Sequence, residues 1–133
     1  MKLSVKMITY NHEKYIAQAI ESVLMQETDF QYELVIGEDC STDGTRAIVV
    51  DYARRYPDRI HLLLPETNLG MHENSRRTLK ACQGEYLALC EGDDYWTSPH
   101  KLQRQVDFLD NHPECTMSFH AVKWIFEDGK REP

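Results

Sequence analysis

A Rossmann-like α/β fold, with a mainly parallel central sheet and helices on both faces, is the fold class that this sequence predicts. Three observations lead to it. Strand-like and helix-like stretches alternate along the chain, the helical ones run for about 10 to 15 residues, and polar residues collect where the strand-like stretches end. Such alternation predicts right-handed βαβ units. In open sheets of this kind, ligands bind outside the carboxyl ends of the strands, near the point where strand order reverses.

The elements follow in order. Leu3 to Thr9 is β-branched and mostly apolar and reads as a strand. Ile16, Ala19, Ile20, Val23 and Leu24 then recur at helical spacing, which predicts an amphipathic helix from about Glu13 to Gln26. Tyr32 to Gly37 (YELVIG) is the second strand. Ser41, Thr42 and Asp43 supply capping oxygens to a helix with the apolar face Ile48, Val49, Tyr52, Ala53 and Tyr56, and Pro57 stops it. Ile60 to Leu64 is the third strand. Met71, Ser75, Thr78, Leu79 and Cys82 mark a weaker helical face, which Gly84 is expected to end as a left-handed cap. Tyr86 to Cys90 is the fourth strand. Ser98 as N-cap and Pro99 at the first helical position then open a helix carrying Leu102, Val106 and Leu109. Cys115 to Ile125 reads as a fifth strand.

Length and composition bound the function. With 133 residues and a 41% apolar share, the chain has the material for one folded domain over residues 1–133. A formal charge of -7 argues against nucleic acid as the partner, because a phosphate backbone needs a basic face. Cys40, Cys82, Cys90 and Cys115 form no CxxC pair and read as free thiols of a reducing compartment. The start MKLSVKMITY is too short and too interrupted for a signal peptide, and no apolar run approaches the ~20 residues of a membrane span. The expected location is therefore cytoplasmic, or at the inner face of a membrane through segments outside this sequence.

Three polar clusters fall at predicted strand ends, and a strand order 3-2-1-4 would set them side by side. The first is Glu91-Gly92-Asp93-Asp94. Two unit charges ~4 Å apart repel by about 4 kcal/mol at an effective dielectric of ~20, so crowding these carboxylates destabilises the protein unless a cation joins them. Mg²⁺ or Mn²⁺ suits such oxygens, taking one or two carboxylates together with waters and phosphates. The alternative is a solvated acidic turn that caps the following helix. The second cluster, GEDCSTDGT from Gly37 to Thr45, holds Asp39 at a strand tip, where a carboxylate can accept from a ligand NH or hydroxyl. The third, TYNHEKY, contains no G-x-G-x-x-G, which argues against a Rossmann dinucleotide site. The six histidines show no metal-ligand spacing, and none is assigned a catalytic role.

Taken together, SVKMITYNHEKYIAQAIESVLMQ, YELVIGEDCSTDGT, NLG and GEYLALCEGDDYWTSPHKLQRQVDFL resemble, in order and spacing, the family 2 glycosyltransferases with the GT-A fold. The resemblance spans nearly the whole chain. It implies that Thr9, Tyr10, Asn11, Glu38 and Asp39 hold the nucleoside of a nucleotide-sugar donor, most simply a UDP-sugar. It implies further that the acidic motif, usually D-x-D, holds ribose and a divalent metal (Mn²⁺ or Mg²⁺). Glu91 stands at its first position, and Asp93, then Asp94, are the implied metal ligands. Arg76, or its neighbour Arg77, is the implied phosphate contact.

The implied reaction is transfer of the sugar, with inversion, to a hydroxyl of a saccharide or lipid-linked acceptor. No general base is identified in the sequence, and by the resemblance it is expected beyond Pro133, together with most of the acceptor-binding part. A nucleotide-sugar-binding module without turnover is the alternative. A phospho-accepting receiver domain would need an aspartate after strand 3, where this chain reads LLLPET.

Overall fold

A computed structural model describes residues 1–125 of the chain. Its strands are β1 (Leu3–Thr9), β2 (Tyr32–Glu38), β3 (Ile60–Leu63) and β4 (Tyr86–Leu89). Its helices are α1 (Ile16–Leu24), α2 (Thr45–Arg55), α3 (Met71–Ala81) and α4 (Lys101–Asn111). The strands form one parallel sheet in the order β3-β2-β1-β4, as expected. Strand order reverses at β1, which lies between β2 and β4. In register, Thr9 sits beside Glu38 and Lys6 beside Leu89.

The two faces of the sheet differ in chemistry. Leu3, Val5 and Met7 of β1 and Leu34 and Ile36 of β2 point to one side. There they meet Ile16, Ala19, Ile20 and Val23 of α1, Val49 and Tyr52 of α2, and Leu102 and Val106 of α4. This is the apolar core, and it is the part that helical periodicity locates. The opposite face carries Ser4, Lys6 and Glu33, and α3 covers it with Asn74 and Thr78 rather than with its apolar residues. Met71 and Leu79, expected to face inward, are exposed. The physical reason is that α3 packs on a polar surface, where side chains that hydrogen-bond are preferred to side chains that only fill space.

Other expectations at element ends need correction. Gly84 is not a left-handed cap: α3 ends at Ala81 and Cys82 is already extended. A side chain at Gly84 would stand 2.3 Å from the Ser4 backbone nitrogen, so the residue is bare because β1 passes against it. Ser98 and Pro99 lie ahead of α4 rather than forming its first residues, with Pro99 and His100 in a turn. The N-cap is His100, whose backbone NH donates to Ser98 Oγ at 3.2 Å.

The largest correction concerns Cys115–Ile125, which forms no strand. Met117, Phe119, Val122, Trp124 and Ile125 are exposed, Phe119 to 88%. Strand preference reflects packing against a neighbour and a half-buried face, and among the described residues this segment has neither. No described helix is long and apolar enough to cross a membrane.

Candidate functional site at the carboxyl edge of the sheet

The tips of β2, β1 and β4 are adjacent, and the polar clusters that follow them in sequence meet there. The ladder between β1 and β4 runs on past the strand ends. The Cys90 NH donates to Lys6 O at 3.2 Å and the Gly92 NH to Ile8 O at 3.0 Å. This brings the turn Glu91–Asp94, closed by the Asp94 NH on Glu91 O at 3.0 Å, against Thr9. A side chain at Gly92 would lie 2.5 Å from Thr9 Oγ1 and 2.8 Å from His12 Nδ1, so only bare backbone fits there.

The β1 and β2 tips are tied to each other. The Asn11 NH donates to Ser41 Oγ, and Asn11 Oδ1 accepts from the Thr42 NH, each at 2.9 Å. The His12 NH donates to Thr45 Oγ1 at 2.9 Å. Asn11 and Cys40, which lies just past β2, occupy the left-handed region with φ of 54° and 56°. Backbone held there by surrounding contacts gathers at ligand clamps. Tyr10 stands exposed between these groups.

The buried acids do structural work. Glu38 is fully buried; Oε2 accepts from Arg46 Nε at 2.5 Å and Oε1 from the Ser41 NH at 2.8 Å. Asp39, 3% exposed, accepts the Leu69 NH on Oδ1 at 2.7 Å and the Gly70 NH on Oδ2 at 2.9 Å. It thus fixes the NLG loop that leads into α3. Thr9 is likewise buried, and its hydroxyl lies 3.0 Å from His12 Nδ1.

The turn after β4 is different: Asp93 and Asp94 are exposed and Glu91 is partly buried. Burial pushes the Glu91 carboxyl above the usual range, Lys6 opposes this, and Asp93 and Asp94 add to it. Burial and the Asp93 charge also raise Asp94, against His12. These three acids thus crowd one turn, with Lys6 and His12 offsetting only part of their mutual repulsion. Hard oxygens in this state fit a divalent cation that takes part of its shell from elsewhere. Among the described residues, no group of three or more His, Cys, Asp or Glu side chains is arranged to hold a metal by itself. Beneath the turn, burial lifts the Cys90 thiol to about 12, which leaves it protonated and inert. Trp96 is buried there, with Lys101 Nζ 4.3 Å from its ring centre.

Of the residues singled out by sequence, Thr9, Tyr10, Asn11, Glu38, Asp39, Glu91, Asp93 and Asp94 all lie along this edge. Arg76 does not join them through a bond. It is exposed on α3 and forks onto Glu73 at 2.9 and 2.6 Å. Sequence reading passed over three cationic or proton-bearing groups here. Lys6 is nearly buried and donates to Ser75 Oγ at 2.5 Å, Arg46 pairs with Glu38, and His12 Nε2 lies 3.9 Å from Asp93 Oδ2. The one signal that could have found Lys6 was a charge at an inward position of an otherwise apolar strand.

Comparison with known proteins agrees with this layout. The model of the family Glycosyl transferase family 2 matches residues 4–131. An uncharacterized protein of Mycobacterium tuberculosis is 49% identical over 130 residues, which is 98% of this chain and 38% of that protein. The crystal structure of Staphylococcus aureus TarS 1-349 in complex with UDP-GlcNAc superposes with a TM-score of 0.73 at 36% identity, over 85% of this chain and 32% of that one. Mannosyltransferase PcManGT from Pyrobaculum calidifontis, in complex with GDP-Man and Mn²⁺, superposes with a TM-score of 0.72 at 25% identity, over 81% and 32%. The chain thus spans 38% or less of the length of each of these relatives. The parallel sheet in the order 3-2-1-4, with helices against it, and these matches make this a GT-A-like fold, and the chain belongs to glycosyl transferase family 2.

Proposed function

We propose that this chain is the donor-binding part of a glycosyltransferase that takes a nucleoside-diphospho-sugar, most simply a UDP-sugar, and passes the sugar to an acceptor hydroxyl with inversion. The observation that carries the reading is the meeting of three adjacent strand tips, at which the acidic turn Glu91–Asp94 lies against Thr9 while Asn11 ties the β1 tip to the loop after β2. Tyr10 and Asn11 offer an exposed ring and amide to the nucleoside. Thr9, Glu38 and Asp39 hold the backbone that receives it, and Glu91 takes the ribose.

A divalent cation, Mn²⁺ or Mg²⁺, would be held by Asp93 with Asp94 and would complete its shell with diphosphate oxygens and water. When bound it supplies positive charge against the departing diphosphate. The complexes of TarS with UDP-GlcNAc and of PcManGT with GDP-Man and Mn²⁺ support this assignment. Arg76 would reach the phosphates only after leaving Glu73. The acceptor, saccharide or lipid-linked, and the general base belong to parts of a longer protein, a view supported by the share of the relatives that this chain spans. The free cysteines fit chemistry on the cytoplasmic side.

Titration calorimetry with UDP, with and without Mn²⁺, tests the proposal. Binding that needs the metal and is lost in Asp93→Ala is expected. Absence of UDP binding under both conditions would overturn it, and a clear preference for GDP would replace the base.

A further inference from the structure

Beside the acidic turn stands one side chain whose ring touches it and to which the donor reading gives no task. We propose that His12 is a positioning residue that holds the Asp93 carboxylate in place through a proton on Nε2; this rests on the donor-site reading above. The backbone of His12 is locked on both sides. Its NH donates to Thr45 Oγ1, and its carbonyl accepts from the Tyr15 and Ile16 NH groups at the start of α1, each at 2.9 Å. The ring therefore has little freedom except about its own side-chain torsions, and Thr9 removes part of that.

In the proposal Thr9 also sets the tautomer, by donating its hydroxyl to Nδ1. Its hydroxyl is buried and lies 3.0 Å from Nδ1. A threonine hydroxyl that donates to Nδ1 leaves the proton of a neutral imidazole on Nε2. That nitrogen lies 3.9 Å from Asp93 Oδ2. The bare backbone of Gly92 lets the turn settle on this Thr9–His12 pair. Among the described residues, no side chain hydrogen-bonds Asp93, whose side chain is 52% exposed; His12 Nε2, at 3.9 Å, stands just beyond hydrogen-bond distance and needs only a small rotation of either side chain to donate to it. The arrangement matches the outer-shell partners that orient ligating carboxylates elsewhere, whose removal costs roughly 10- to 100-fold in metal affinity.

The test measures Mn²⁺ affinity by electron paramagnetic resonance at saturating UDP, and UDP affinity without metal, for the protein and for His12→Ala, His12→Gln and His12→Asn. All three substitutions keep the backbone bonds of position 12. A glutamine amide can place an N–H near the position of Nε2, whereas an asparagine amide reaches only the position of Nδ1. His12→Ala is expected to weaken Mn²⁺ binding by roughly 10- to 100-fold with metal-free UDP affinity unchanged, and Gln but not Asn recovers most of the loss. Unchanged Mn²⁺ affinity in His12→Ala overturns the proposal. So does an equal loss of metal-free UDP binding, or recovery by Asn as well as Gln, or by neither. If the unsubstituted protein binds no Mn²⁺ with UDP, the donor-site reading itself has failed, and that is seen before any variant is made.

Discussion

Replacing Arg46 should unsettle the β2 tip more than any surface mutation in α2. Glu38 is fully buried and Arg46 is about one-third exposed, with Nε on Glu38 Oε2 at 2.5 Å and Nη2 on Pro65 O at 2.8 Å. In Arg46→Met the aliphatic stem is kept and both bonds are lost, so a carboxylate oxygen remains in the interior with no cation beside it. Removing one partner of a buried pair typically costs 3–5 kcal/mol. Water reaches Arg46 and screens part of the interaction, which puts the expectation at the lower end, about 3 kcal/mol. At about 4 °C per kcal/mol for a domain of this size, Tm falls by about 12 °C.

The companion variant Glu38→Gln removes the charge and keeps an acceptor for the Ser41 NH. Combining it with Arg46→Met should therefore recover at least half of the loss, because the stranded charge is gone. Urea unfolding of the two single variants and the double variant closes the cycle. A loss below about 1 kcal/mol in Arg46→Met, or strict additivity in the double variant, would refute the argument that the buried charge is what Arg46 serves.

Two further predictions concern the polar side of the sheet and the α4 edge. Glu33 is 1% exposed; its Oε1 accepts from Ser4 Oγ at 2.6 Å and the Gln83 NH at 2.8 Å, while Oε2 has no hydrogen-bond partner among the described residues and lies 4.0 Å from His61 Nε2. Glu33→Gln keeps both accepted bonds and deletes an unsatisfied buried charge, so chemical denaturation should show a gain of about 1–2 kcal/mol; a loss would mean that the charge is needed. Asp110 is held below the usual carboxylate range by the Tyr86 hydroxyl and by Lys2. A carboxyl lowered in the folded state adds stability above its ordinary value, and that contribution disappears as pH falls through the folded value. The Tm difference between the protein and Asp110→Asn should thus be steady near neutrality and close as pH falls below the ordinary carboxylate range; a difference that persists into strong acid would exclude this linkage.

How much was legible in the sequence follows from what kind of force shaped each part. α1, α2 and α4 announce themselves because they bury apolar stripes against one sheet face, and burial of that kind leaves a period in the residues. The strand order was legible because crossover handedness and the edge rule leave few arrangements that gather TYN, ED and EGDD together. α3 misled because hydrogen bonding replaces hydrophobic burial on the polar face, so its inward residues are Asn74 and Thr78. Gly84 misled because a bare backbone can serve close approach as well as a left-handed turn.

By itself, then, the sequence determined the alternating architecture, the edge at which the polar clusters gather and the place of Asn11, Asp39, Glu91 and Asp93 along it, since each follows from local pattern or strand-end position. Only the tertiary structure decided that Asp39 and Glu38 brace loops from within, that Arg76 is bound to Glu73, that Cys115–Ile125 pairs with no strand among the described residues, and that Lys6, Arg46 and His12 stand among the acids. The reason is physical. Hydrophobic periodicity is written along the chain, but a polar contact between residues 29 or 81 positions apart, such as Asp39 with Asn68 or His12 with Asp93, is set only by how the elements cross in space.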